Sequence, residues 1–413
     1  MSAAPLSRRR FLTRATALGC SLAASPLVTP VTMASAPWDN RLVVIILRGG
    51  MDGLDVVQPL GAPEFRQLRA GMDPGQTADA PAPQDLDGFF ALHQGLADLM
   101  PFWHRGELGF VHAVSTPYRD KRSHFEGQDI LEAGTGPDDP RGIRDGWLNR
   151  LLQHVPGIEA ETAFAIGRSD MLLTRGPAPV ANWSPDAAFT LSPQARLLLE
   201  EVMHDDPLFR DTMLEAMALS DGSMPASGSA MPDVGMGDMR QSMQTARQSG
   251  GTADIARFAA DKLRGDTRIA AFSLNGFDTH ARQINTLPRA LSDLQTAILT
   301  LREGLGAIWD RTTVVAMTEF GRTARLNGTR GTDHGTGGAM LLAGGALRGG
   351  RVIGDWPGLS EADLYERRDL RPTRDVRAHA AWIMRQSFGL ERATLQDAVF
   401  PGVDMGPDPR LLL

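Results

Sequence analysis

Six consecutive apolar residues, Leu42-Val43-Val44-Ile45-Ile46-Leu47, break off into Arg48-Gly49-Gly50-Met51-Asp52-Gly53. A largely β-branched run with no polar alternation predicts a strand covered on both faces, the setting of a parallel central sheet. Later segments repeat the theme. Residues 108–114, 162–167, 268–274, 312–318 and 339–343 read as strands. Residues 123–133, 147–155, 252–264, 286–309 and 375–388 read as helices. Strands interleaved with helices predict an α/β fold, a doubly wound and mostly parallel central sheet flanked by helices. No internal repeat and no second apolar core is visible, so one domain is expected over 37–413. Two irregular stretches interrupt it: a Pro/Asp/Gly-rich surface loop at 73–88 and a Met/Gly/Ser-rich excursion at about 220–250.

The first 36 residues read as an address. Ser7-Arg8-Arg9-Arg10-Phe11-Leu12 resembles a twin-arginine export signal, and a weakly apolar stretch leads to the small residues Ala34-Ser35-Ala36. This order implies export by the twin-arginine machinery to the periplasm or beyond; a disordered basic tail explains it less well. No other segment approaches the roughly 18–20 apolar residues of a membrane span. Lys+Arg 42 against Asp+Glu 49 gives a net charge of −7, which argues against a nucleic-acid partner. The only cysteine, Cys20, falls inside the address segment. A metal site in the mature chain must therefore use His, Asp, Glu or hydroxyl ligands.

In open α/β sheets, ligands bind beyond the carboxyl ends of the strands. The strand at 42–47 runs into Asp52, with Asp55 close behind. The strand at 268–274 runs into Asn275-Gly276-Phe277-Asp278-Thr279-His280. The strand at 312–318 runs into Glu319-Phe320-Gly321-Arg322-Thr323. Thr332-Asp333-His334-Gly335 precedes the strand at 339–343. Each cluster alone is an ordinary turn or solvated strand end. Their coincidence at strand ends points to a site for divalent ions, a pair of which can clamp the oxygens of a phosphoryl or sulfuryl transfer.

The ordered set LRGGMDGLD, SHFEGQD, FDTH, TEFGRT and DHGTGG resembles the domain-of-unknown-function 1501 family, itself similar to the alkaline phosphatase and sulfatase superfamily. The resemblance spans about Arg41 to Leu390 and implies an alkaline-phosphatase-like fold. It also implies two metal sites and a hydroxyl nucleophile; this chain's departures from the pattern leave one or two divalent ions expected, and oxygen-rich ligands with two His suit Zn, Mn, Mg or Ca alike. Carried over residue by residue, it implies Asp52, Asp278, His280, Glu319 and His334 as metal ligands and Ser123 as the nucleophile at a helix N-terminus; Asp333, beside His334 in its cluster, is a further candidate ligand. His124 and Arg322 are further candidates, His124 for assisting the leaving group or ligating metal and Arg322 for pairing with an anion or, equally, with Glu319 or another carboxylate. The chain departs from the superfamily where Glu319 is followed by Phe320 instead of His. Ser123 is equally suited to capping its helix.

These observations lead to an exported, metal-dependent hydrolase of phosphate or sulfate esters, acting on an anionic small-molecule or glycan ester. The alternative is a non-catalytic exported binding, assembly or envelope protein that keeps the fold.

Overall fold

Strand β1 (Arg41–Leu47) lies at the middle of a nine-stranded sheet, and every residue in it is buried. The structure is a computed structural model that describes residues 39–72, 82–119, 122–137, 139, 142, 144–155, 163–166, 171–183 and 251–413. The address segment, most of the 73–88 loop and the 220–250 excursion lie outside the described residues.

The other strands are β2 (Leu108–Ser115), β3 (Ala163–Ile166), β4 (Ala181–Trp183), β5 (Ile269–Leu274), β6 (Thr312–Met317), β7 (Gly338–Ala343), β8 (Val352–Ile353) and β9 (Arg374–Asp375). They are ordered β8-β2-β7-β6-β1-β5-β3-β4, with β9 also paired to β2. Only β7 runs antiparallel to its neighbours, so the sheet is mixed and mostly parallel, as expected. A separate three-stranded sheet packs Val57–Gln58, Ala91–Leu92 and Gln84–Asp85 side by side.

Alternate residues of β1 feed two different cores, which explains its unbroken apolar run. Val43, Ile45 and Leu47 pack with Leu287, Leu291, Leu294 and Ile298 of the long helix Gln283–Leu305. Leu42, Val44 and Ile46 pack with Leu148 and Leu151 of Trp147–His154 and with Ile383 and Met384 of Val376–Phe388. Complete burial of one such side chain contributes about 1.5–3 kcal/mol. Truncating Ile45 to Ala would leave a cavity costing about 2–5 kcal/mol.

The expected elements recur with small shifts at their ends. The strand at 312–318 stops at Met317, where the Thr318 hydroxyl shares its one proton between the Leu47 carbonyl and Glu319 Oε2 and accepts from the Met51 N–H. The helix expected at 286–309 spans Gln283–Leu305 and gives way at Gly306 to a 3-10 turn, Gly306–Arg311. No helix among the described residues is long and apolar enough to cross a membrane.

Candidate metal centre

Strands β5, β1 and β6 are adjacent and parallel, with Leu47 opposite Leu274 and Ile46 opposite Met317. The loops that leave their carboxyl ends therefore converge on one edge of the sheet. The approach is close: a Cβ on Gly49 would lie 2.4 Å from the Asp278 nitrogen, and Gly49 adopts φ +118°, a conformation open to glycine. Gly49 N–H in turn donates to Glu319 Oε1 at 2.9 Å.

At this edge four side chains meet. Asp278 and His280 come from the loop after β5, His334 from the loop before β7, and His124 from the first turn of helix α1 (His124–Ala133). Asp278 Oδ1 lies 3.1 Å from His280 Nε2, 3.3 Å from His124 Nε2 and 3.5 Å from His334 Nε2. His280 Nε2 and His334 Nε2 are 2.8 Å apart. Metal–ligand bonds of 2.0–2.2 Å put tetrahedral ligands about 3.3–3.6 Å from one another. The His124 and His334 distances to Asp278 fall in that range, and the two contacts of His280, at 3.1 and 2.8 Å, are shorter, so that its ring would move outward by a few tenths of an ångström to share one ion.

The opposite nitrogen of each ring is held by an acceptor. His124 Nδ1 meets Glu319 Oε1 at 2.8 Å, His334 Nδ1 meets the Arg122 carbonyl at 3.0 Å, and His280 Nδ1 meets Asp333 Oδ1 at 3.4 Å. With Nδ1 protonated, each Nε2 presents a lone pair toward Asp278. Carboxylate and carbonyl partners of this kind fix the tautomer of metal-ligating histidines. His124 Nε2 is buried with no hydrogen-bond partner. The Nε2 atoms of His280 and His334 are at hydrogen-bond distance, 2.8 Å; with both rings protonated at Nδ1 their lone pairs would face each other, an arrangement that a cation relieves. The donor set thus fits a divalent ion.

The electrostatics agree. Burial, reinforced by Arg322 and the two other rings, pushes His334 down to about 4, so it is neutral at neutral pH. His124 donates from Nδ1 to Glu319, and this bond raises its pKa, so that a proton competes with an ion for Nε2. Burial opposes ionisation of Asp278, but Arg322 and the histidines outweigh it and hold its carboxyl below the ordinary range.

Other expected site residues have different partners. Asp52 does not reach the group: it is 1% exposed and held by Arg69 through bonds of 2.5 and 3.0 Å. Glu319 is wholly buried and spends its oxygens on Gly49 N–H, His124, Gln128 and Thr318, so it orients His124 from behind. Asp333 supports His280 and accepts from Asn327 at 3.0 Å. Of the two readings of Arg322, a clamp on a substrate anion or an ion pair with a carboxylate, the structure shows the second, with Asp278. Arg322 is 0% exposed and donates to the carbonyls of Gly49, Gly50, Phe277 and Thr332 and to Asp278 Oδ1. Ser123 is the N-cap of α1, its hydroxyl accepting from Glu126 N–H at 3.4 Å.

Gln283, which the sequence reading passed over, ties these loops together. Its Oε1 accepts from the hydroxyls of Thr279 (2.8 Å) and Thr332 (2.6 Å), and its Nε2 donates to Asp52 (2.6 Å) and Asp55 (2.9 Å). Little local marks it, since its partners other than Thr279 are 49 to 231 positions away on two segments. A cleft of about 110 Å3 opens beside His334, lined by Tyr118, Arg119, Arg122, Tyr365 and Arg368 among others. Those tyrosines are both of the chain's two, a scarcity that could have drawn attention to them.

The chain is similar to solved members of the alkaline phosphatase superfamily. One is a protein of that superfamily from Vibrio parahaemolyticus, at 12% identity, covering 82% of this chain and 69% of that one with a TM-score of 0.35. Another is the alkaline phosphatase of the Antarctic bacterium TAB5, at 11% identity, 74% and 92% coverage and a TM-score of 0.34. A third is the C-terminal periplasmic domain of EcEptC from Escherichia coli in complex with Zn, at 10% identity, 75% and 74% coverage and a TM-score of 0.33. These are loose spatial likenesses, and the site described above stands on this chain's own residues. No curated protein matches the chain. Residues 39–397 match the family model described as protein of unknown function (DUF1501), and the chain belongs to that family.

Proposed function

We propose that the protein is a metal-dependent hydrolase of phosphate or sulfate esters that holds one divalent ion through His124, Asp278, His280 and His334. The observation that carries this reading is the convergence of three imidazole Nε2 atoms on Asp278 Oδ1, with each Nδ1 held by an acceptor. Three imidazoles and a carboxylate favour Zn or another first-row transition ion over Mg or Ca. An ion held there supplies Lewis-acid polarisation of a phosphoryl or sulfuryl oxygen.

The chain's own residues do the rest. Asp278 is pinned by Arg322 and keeps its charge. Glu319 holds His124 in its ligating orientation. Ser123, one position before His124, is the proposed nucleophile. Its oxygen bonds to phosphorus or sulfur as the bond to the alcohol oxygen breaks, the hydroxyl proton ending on the departing alcohol; water then cleaves the seryl ester, releasing phosphate or sulfate and restoring the Ser123 hydroxyl. Its capping bond is long, at 3.4 Å, which leaves the hydroxyl weakly committed. The protein would reach its substrate after twin-arginine export, in the periplasm or outside the cell.

A binding or assembly role without turnover is the second reading, favoured by the ion pair that Asp278 already makes with Arg322 at 2.6 Å. Assays of aryl phosphate and aryl sulfate esters separate the two. Under the hydrolase reading the metal-loaded protein turns over one ester class, and Ser123→Ala abolishes turnover while metal content stays the same. If Ser123 only caps α1, the change costs about 0.5–2 kcal/mol and spares turnover. A loaded parent protein inert on both ester classes would overturn the hydrolase reading.

A further inference from the structure

The cleft beside His334 has a chemistry of its own. Of the four ligand residues only His334 lines it, so a group seated there lies next to the ion site and not on it. At about 110 Å3 it is well below the roughly 300–1,000 Å3 of pockets that bury a whole drug-sized molecule, so it takes a group.

Three guanidiniums and two carboxylates line it. Arg368 is fixed by its bonds to the His334 carbonyl (2.9 Å) and to Asp369, and Thr336 also donates to Asp369. That pair is internally neutral. Arg119 is directed by the carbonyls of Thr116 and Tyr118. Arg122 is exposed, and among the described residues its guanidinium makes no hydrogen bond or ion pair, while its carbonyl receives His334 Nδ1. Arg119 has partners of its own, so Arg122 is the cation left to an incoming anion, with Glu366 the one further carboxylate of the lining. Arginine forks of this kind recognise oxyanions.

We infer that the cleft is a second anion subsite, taking a phosphate-, sulfate- or carboxylate-type group on the organic part of the ester, so that the substrate is a polyanionic ester. The subsite itself stands on the cleft's own residues; the word "ester" rests on the function proposed above.

Calorimetric titration of the full-length mature protein with inorganic phosphate tests the two parts separately. The metal-loaded parent should bind two phosphates, and a chelator should remove one of them. The chelator-resistant phosphate should weaken about tenfold or more in Arg122→Ala, as expected for loss of a charge-assisted bond, and should weaken further with added salt. It should be unaffected in His280→Ala. An unchanged melting temperature for Arg122→Ala shows that the variant is folded. Loss of all phosphate binding on chelation, or chelator-resistant binding indifferent to Arg122→Ala, would overturn the subsite. A parent that binds only the chelator-resistant phosphate contradicts the ion-site reading and leaves the subsite standing.

Discussion

Replacing Asp52 with Asn tests whether this buried carboxylate serves the fold or the ion. The change keeps volume and shape but removes the charge opposite Arg69. Both side chains are at most 5% exposed, and their two hydrogen bonds measure 2.5 and 3.0 Å. Asn can accept from one guanidinium nitrogen but turns its own NH2 toward the other, and Arg69 is left buried without its main counter-charge. Breaking a buried pair in this way costs about 3–5 kcal/mol. With an unfolding entropy of about 2.1 cal/mol/K per residue, each kcal/mol lowers the melting temperature of a domain this size by roughly 1–2 °C. The expected drop is therefore about 4–8 °C in calorimetry of the chelated protein. Elemental analysis of the reloaded variant should give the parent's metal content. His280→Ala should show the reverse pattern, since the ring is 43% exposed and faces the ion site. An Asp52→Asn protein that melts like the parent but has lost its metal would refute this division of labour.

Three further outcomes are expected. Gln283→Leu removes the amide that joins Thr279, Thr332, Asp52 and Asp55, so metal affinity measured by competition with a chelating dye should fall about 10–100-fold; unchanged affinity would show that the ligand loops hold themselves. Burial pushes His112 and His379 down to about 4, below the 6.5 of the unfolded chain, so the folded protein binds fewer protons between those values. Stability is then full above about pH 6.5 and falls as pH drops toward 4, by up to about 3 kcal/mol per ring, and equal denaturant midpoints at pH 7 and pH 5 would contradict this. Arg8 and Arg9 together replaced by Lys should leave the precursor in the cytoplasm by fractionation, and normal export of that variant would remove the twin-arginine assignment.

Much of the fold was readable because its cause is local. An apolar run such as Leu42–Leu47 has one stable use, a strand with a core on each face, and the helices that supply those cores carry their own periodicity. The edge of the sheet where chemistry gathers followed from the parallel order of strands. Asp278, His280 and His334 were legible for the same reason, since each follows or precedes a strand at that edge. What escaped were orientations decided by partners far along the chain. Asp52 stands at the end of β1 as a ligand would, but Arg69, which sets its direction, sits on a separate segment. Glu319 points to His124 and Gly49, which lie 195 and 270 positions away. Arg322 reads as a cation next to a strand end with an anion or a carboxylate for its partner, and five acceptors from three segments enclose it. His124 ranked second because nothing near Ser123 reveals that α1 starts over the loops of β5 and β7.

Metal content is the most direct test of the proposed centre. The purified mature protein, dialysed to equilibrium with Zn and freed of loosely held ion, should retain one ion per chain by elemental analysis. His280→Ala and Asp278→Ala should retain none under the same conditions, with Asp52→Asn retaining one. Two ions per chain, none in the parent, or an equal content in parent and His280→Ala would contradict a single ion held by His124, Asp278, His280 and His334.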